Sequence, residues 1–213
     1  IILKAKGKIF RKNLTHYYLD RIQLEFYGSL DTIYPGFIFM RGRKPILLTV
    51  SHAKPPLEDP FILDFSVSLA QKTGAYLLIS EISRVELDCN RKISRLSPFR
   101  RIISYYTIWD KKIKLILDMH STRRIYDYDI ILGIFGGLST RPYYIRLLKE
   151  LLEKYEISLA LEKKGYMGGD ITRYHSIRPR INIIQIEING NLRPRRRRKI
   201  LAALAEYINS IRV

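Results

Sequence analysis

The 213-residue chain has one cysteine, Cys89. A lone thiol can form no internal disulfide and no cysteine-based zinc cluster, and it fits a reducing, intracellular setting. With no histidine beside it in sequence, Cys89 reads as a small buried side chain. Long apolar runs are also missing. The longest, such as Ile130 to Leu138, fall far short of the roughly 18 residues a membrane-spanning helix needs. The Lys-rich start has no apolar stretch after it of the kind a secretory leader carries, so the expected location is cytoplasmic. Glutamine is scarce, at positions 23, 71 and 185 only, while Ile, Tyr, Lys and Arg are abundant, a bias of thermophilic flavour. Acid is short as well: 20 Asp and Glu face 38 Lys and Arg, a net charge of +18. With 46% hydrophobic residues the chain is no disordered basic tail. Its charge raises the expectation of a polyanionic partner, RNA or DNA. Yet no zinc finger and no RNP-type aromatic motif accompanies the charge. The basic residues are spread along the chain, with one dense run at Arg195–Lys199.

What is present is an alternation of short apolar runs and longer amphipathic stretches, the pattern of an α/β domain. Ile46 to Ser51 reads as a buried strand ending at His52. A helix is expected over Phe61 to Thr73, stopped by Gly74. Further strands are expected over Ala75–Ser80, Ile113–Met119, Asp129–Ile134, Ile157–Glu162 and Ile181–Ile188. Arg84 to Leu87 reads as an extension of the second strand or a separate one. Helical spacing runs from Thr140 to Tyr155 and from Pro194 to Ile211, the latter opened by proline. Pro98 to Ile108 is ambiguous. The expectation is therefore one domain over residues 1–213, a three-layer α/β/α fold with a mostly parallel, mixed central sheet. Residues 1–40 would add an antiparallel hairpin at one edge.

In such sheets ligands bind beyond the carboxyl ends of the strands. Two of the four histidines, His52 and His120, directly follow expected strands in T-V-S-H and L-D-M-H-S, and a third strand reaches Glu187 in I-I-Q-I-E. Two imidazoles and nearby carboxylates at one sheet edge suit a zinc ion, with three protein ligands and one position for water. Glu58 and Asp59 are the carboxylates nearest His52, and Asp59 could equally cap the helix that follows Pro60. Arg91 with Asn90 could hold a substrate carboxylate, because a guanidinium offers a bidentate fork. Gly168-Gly169 allows a close backbone approach or an ordinary turn.

Taken in order, S-H-A at 51–53, E-D-P-F at 58–61, S-R and D-C-N-R at 83–91, D-M-H-S at 118–121, G-Y-M-G-G-D at 165–170 and Q-I-E at 185–187 resemble the N-formylglutamate amidohydrolase family. That family has a zinc-carboxypeptidase-like (phosphorylase/hydrolase-like) fold and is akin to succinylglutamate desuccinylases and aspartoacylases. The resemblance spans about His52 to Leu192. It implies a zinc site of His52, His120 and a carboxylate, Asp59 aligning better than Glu58. It implies a catalytic role for Glu187, a grip on the substrate carboxylate by Asn90 and Arg91, and a substrate-side loop at Gly168 and Gly169. The implied activity is zinc-dependent cleavage of an amide bond in a small carboxylate-bearing substrate such as an N-acyl amino acid. The rival reading is a nucleic-acid-associated protein on the same scaffold, its metal site degenerate or redirected and its Arg195–Lys199 run a phosphate-binding helix face.

Overall fold

The computed structural model describes residues 32–34, 36–123, 126–163, 165–177 and 181–211. Its strands are β1 (Thr32–Tyr34), β2 (Phe37–Met40), β3 (Lys44–Val50), β4 (Ala75–Ser80), β5 (Leu115–Thr122), β6 (Ile130–Gly133), β7 (Leu159–Leu161) and β8 (Asn182–Asn189). Its α-helices are α1 (Ile62–Thr73), α2 (Pro98–Ser104), α3 (Pro142–Lys154), α4 (Asp170–His175) and α5 (Pro194–Ser210). The strands form one sheet in the order β1-β2-β4-β3-β5-β8-β6-β7. The central four, β4-β3-β5-β8, are parallel. β2 runs antiparallel to β4 and β6 antiparallel to β8, so the sheet is mixed, as expected.

Helices cover both faces, and the two faces differ in a way that places the site. On one face Leu48, Leu117, Met119, Ile184, Ile186 and Ile188 carry an apolar surface to the carboxyl ends of the strands, under α1, α3 and α5. On the other, strand register aligns Leu47, Ile116 and Ile183 in one row, which packs with Phe99, Ile102 and Ile171 from α2 and α4. The next row is Thr49, Asp118 and Gln185, and the row after it pairs His120 with Glu187. Because side chains alternate faces with period two, this one face turns from apolar to polar within a single pleat.

Local signals explain most boundaries. Gly74 closes α1 in the left-handed conformation, where a missing Cβ removes the steric cost. Ser97 caps α2, its Oγ accepting from the Arg100 N–H ahead of Pro98. α2 then widens into a π-turn, Tyr105–Trp109, in which the Asp110 N–H reaches back to the Tyr105 carbonyl at 3.0 Å. Four features differ from the sequence reading. Arg84–Leu87 forms no strand, because the N–H groups of Glu86 and Leu87 turn back onto the Ser83 carbonyl. α3 begins at Pro142, which fits the first helical turn. α4 follows Gly169 as six residues, too short for periodicity to mark. His120 lies inside β5 rather than after it, while Glu187 falls within β8 as expected. At the other end of the chain, β1 and β2 pair antiparallel and join the sheet at β4, while residues 1–31 of the anticipated hairpin lie outside the described residues.

The basic run on α5 divides in two. Arg196 forks onto Asp129, Arg197 lies 4.1 Å over the Phe61 ring, and Lys199 pairs with Glu156 at 2.7 Å. These three fasten α5 to its neighbours, while Arg195 and Arg198 are exposed. No helix among the described residues is long and apolar enough to cross a membrane.

Gly133 ends β6 against the 165–169 loop, and a Cβ there would lie 2.4 Å from the backbone nitrogen of Gly168. Since neither backbone can yield cheaply, Gly133→Ala is expected to destabilise the fold by about 1–3 kcal/mol. A urea melt checks this, read as a lower midpoint with an unchanged slope.

Candidate metal centre

The turn after β3 carries His52, and the loop it opens returns when the Asp59 N–H donates to the His52 carbonyl at 3.0 Å. That closure brings Asp59 back over the sheet edge. Its Oδ2 lies 3.3 Å from His52 Nδ1 and 2.9 Å from His120 Nδ1, and also accepts from the Ser121 N–H. All three side chains are buried, and their candidate ligand atoms lie within 4.8 Å of one another. Asp59 does not cap α1: the cap position before Ile62 is Phe61, with no side-chain cap. Glu58 points away, paired with Arg123 at 3.0 Å.

Each imidazole is gripped at its far nitrogen by another carboxylate. His52 Nε2 meets Asp88 Oδ1 at 2.8 Å, and His120 Nε2 meets Asp118 Oδ2 at 3.2 Å. Asp118 is itself fixed by the Thr49 hydroxyl at 2.7 Å and by Asn90 Nδ2 at 3.4 Å. Asp88 accepts from the Asn90 N–H at 2.9 Å and pairs with Arg84 and Arg91. Such an outer carboxylate orients a metal-binding histidine: with Nε2–H donating to it, the Nδ1 lone pair is left facing inward. Doubly protonated rings would satisfy both contacts, and so would neutral rings with a cation at Nδ1.

The charge balance favours a cation. Asp59, Asp88, Asp118 and Glu187 gather around two histidines, and the guanidinium groups that pair with them are Arg84, 3.5 Å from Asp59, and Arg91, 3.1 Å from Asp88. Burial opposes ionisation of Asp59, but the His120 and His52 hydrogen bonds outweigh it and hold the carboxyl well below its ordinary range. Burial likewise opposes ionisation of Asp88, which His52, the Asn90 N–H and Arg84 hold low. For His120 burial works against the proton, yet Asp118 and Asp59 push its pKa well above the usual value. Glu187 is raised to about 7, chiefly by burial, with Asp59 adding to the rise and His120 opposing it. The donor set of two nitrogens and one carboxylate oxygen fits zinc, with the oxygen 3.3 and 2.9 Å from the two nitrogens, near the roughly 3.3 Å edge of a tetrahedron built on 2.0 Å bonds.

The remaining sequence candidates line the same cavity, of about 780 Å³, which also takes in Arg84, Lys92 and Arg173. Arg91 stands at its mouth with 69% of its side chain exposed. Asn90 is buried between elements: Nδ2 faces Asp118 and His120, and Oδ1 accepts the Ile171 N–H of α4 at 2.9 Å. Gly169 sits so close to Asn90 that a Cβ would overlap its amide, and Gly168 holds φ +98°. The Gly169 N–H donates to Gln185, whose Nε2 donates to Glu187 at 3.3 Å. His175 lies elsewhere, accepting from the fully buried Arg100, which also binds Asp170. Cys89 is buried, and burial raises its thiol to about 11. The residues missed in sequence are Arg84, Asp88, Asp118 and Gln185. All four carried a signal: Asp118 and Gln185 stand two positions from His120 and Glu187 on the same strand face, Arg84 stands in the S-R segment and Asp88 opens the D-x-N-R segment.

The mixed α/β sheet, with its polar cluster at the carboxyl edge of the parallel strands, is a fold found in other solved structures. Solved structures with this fold include N-formylglutamate amidohydrolase from Ralstonia eutropha JMP134, at 15% identity and TM-score 0.62, aligned over 83% of this chain and 96% of that one. Succinylglutamate desuccinylase from Chromobacterium violaceum aligns at 12% identity and TM-score 0.54 over 91% and 76%. A metallo-carboxypeptidase from Pseudomonas aeruginosa aligns at 14% identity and TM-score 0.55 over 91% and 66%. At these identities the likeness establishes the fold. No protein-family model matches the sequence, and no curated protein matches it.

Titration of metal-free protein with zinc is expected to show one tight site per chain, lost in His120→Ala. Asp88→Asn keeps all three inner donors but loosens the His52 ring, so its zinc affinity should fall by about 10- to 100-fold. Unchanged affinity in Asp88→Asn would remove the outer carboxylate from the site.

Proposed function

We propose that this protein is a zinc-dependent amidohydrolase that cleaves the amide bond of a small carboxylate-bearing substrate, an N-acyl amino acid or a close analogue. The observation that carries the reading is the His52–Asp59–His120 cluster. It is buried, oriented by Asp88 and Asp118, and stands beside a second buried carboxylate, Glu187, in an open cavity. The fold is shared with hydrolases of amide and peptide bonds, which supports the same chemical class.

His52, Asp59 and His120 would hold the ion. Zinc, when bound at such a site, polarises a carbonyl and makes water acidic enough to ionise near neutrality. Glu187 is placed to take the proton of the attacking water and return it to the departing amine as the C–N bond breaks. Burial raises its pKa, the direction that makes a carboxylate a better proton acceptor. The Gly169–Gln185 chain holds the Glu187 carboxylate in position. Arg91 anchors the substrate carboxylate at the cavity mouth, and Asn90 fixes the segment from which Arg91 projects. Arg84, tied to Asp59 and Asp88, adds positive charge beside the reacting carbonyl.

Glu187→Gln should lower kcat by about 10²- to 10⁴-fold while zinc stays at one per chain. Turnover at the wild-type rate would remove Glu187 from the chemistry. Arg91→Ala should raise KM for an N-acyl-glutamate about tenfold or more, with little change for the corresponding neutral amide. Activity that survives complete chelation of metal would refute the metal-dependent reading itself.

A further inference from the structure

Beyond the metal centre the chain has a second large concavity, of about 720 Å³, lined mainly by β2, α2 and the π-turn. β2 runs antiparallel to β4, so Arg41, just past its end, lies toward the amino edge of the parallel strands. The groove therefore sits at the opposite sheet edge from His52 and His120. Its floor is an aromatic stack rooted in the core: Phe39 lies on Tyr106 with centroids 4.5 Å apart, and Tyr106 meets Tyr105 edge to face at 5.1 Å. The outermost ring of the stack and the tryptophan that follows it are open to solvent. Tyr105 is 53% exposed, and Trp109, one π-turn further on, is 76% exposed.

A short helix widened to π geometry is an uncommon way to end a segment and is concentrated at functional positions. Here it lifts two large aromatic rings off the protein surface. Cations share the groove. Arg41 and Arg101 line the groove. Lys112 follows directly, paired with Asp110 at 3.1 Å and within reach of the charge of Arg41. Exposed rings beside guanidinium groups make a platform on which bases stack while phosphates are neutralised. A net charge of +18 supplies the long-range attraction that a polyanion needs.

We infer that the groove between β2 and the π-turn binds single-stranded nucleic acid, with bases stacked on Tyr105 and Trp109 and phosphates held by Arg41 and Arg101. The site is separate from the metal centre and stands independently of the amidohydrolase reading. It also relocates the nucleic-acid expectation raised by composition, since three residues of the Arg195–Lys199 run are spent on internal contacts.

Trp109 is the only tryptophan in the chain, so its emission reports on the groove alone. Titration of the full chain with an oligouridylate of about eight nucleotides should quench that emission to saturation, with affinity falling steeply as salt rises. Tyr105→Ala and Arg101→Ser alter exposed side chains and leave the fold and the reporter intact. The first should weaken binding about tenfold, and the second should lower the slope of log affinity against log salt by about one. Failure to quench at saturating oligonucleotide would overturn the inference. Equal quenching by heparin, which has charge but no bases, would overturn it too. Uridine monophosphate binding as tightly as the oligomer would make the ligand a free nucleotide and overturn the assignment to nucleic acid. Wild-type binding by both variants would place the oligonucleotide on another basic surface and would likewise overturn it.

Discussion

The Asp59 carboxylate, held between the Nδ1 atoms of His52 and His120, is the contact on which the arrangement of the site depends. A buried charge is costly unless it is paired and hydrogen-bonded. Here the pairing is extended outward, because each imidazole that faces Asp59 is backed by another carboxylate, the buried Asp118 or the half-buried Asp88. Those carboxylates are in turn held by Thr49, Asn90, Arg84 and Arg91. The result is a closed set of polar contacts at the end of an otherwise apolar sheet face. Such a set tolerates little change: removing one member leaves its neighbours charged, buried and unpaired.

The fold sustains this cluster through the asymmetry of its sheet. The face under α1, α3 and α5 stays apolar to the end of β8 and supplies the continuous core. The opposite face ends its apolar packing at Leu47, Ile116 and Ile183 and presents Asp118, His120, Gln185 and Glu187 in the next two rows. Parallel register ties these rows together, so the spacing of His120 on β5 and Glu187 on β8 is fixed by backbone hydrogen bonds rather than by loop conformation. The loops then deliver only His52, Asp59 and the Asp88–Arg91 segment.

Much of this was legible from residues alone. The histidines at positions 52 and 120 stood out because each followed an apolar run, and Glu187 because it broke one. The α/β/α class followed from the alternation of those runs with amphipathic helices, and the capping glycine of α1 from its position after Thr73. The outer carboxylates were harder to see, because a buried Asp within an apolar strand looks like an interruption until register shows its partner. α4 was hidden because six residues give no period. The roles of Arg196 and Arg197 depended on contacts with Asp129 and Phe61, both distant in sequence. Charge counting could not separate such inward-facing basic residues from those left on the surface.

The site's central claim concerns the position of one ion, and anomalous diffraction at the zinc absorption edge, from crystals of the zinc-saturated protein, locates it directly. The predicted result is a single strong peak about 2.0–2.2 Å from Nδ1 of His52, Nδ1 of His120 and a carboxylate oxygen of Asp59. A peak held by other side chains, or no peak between these three, would contradict it.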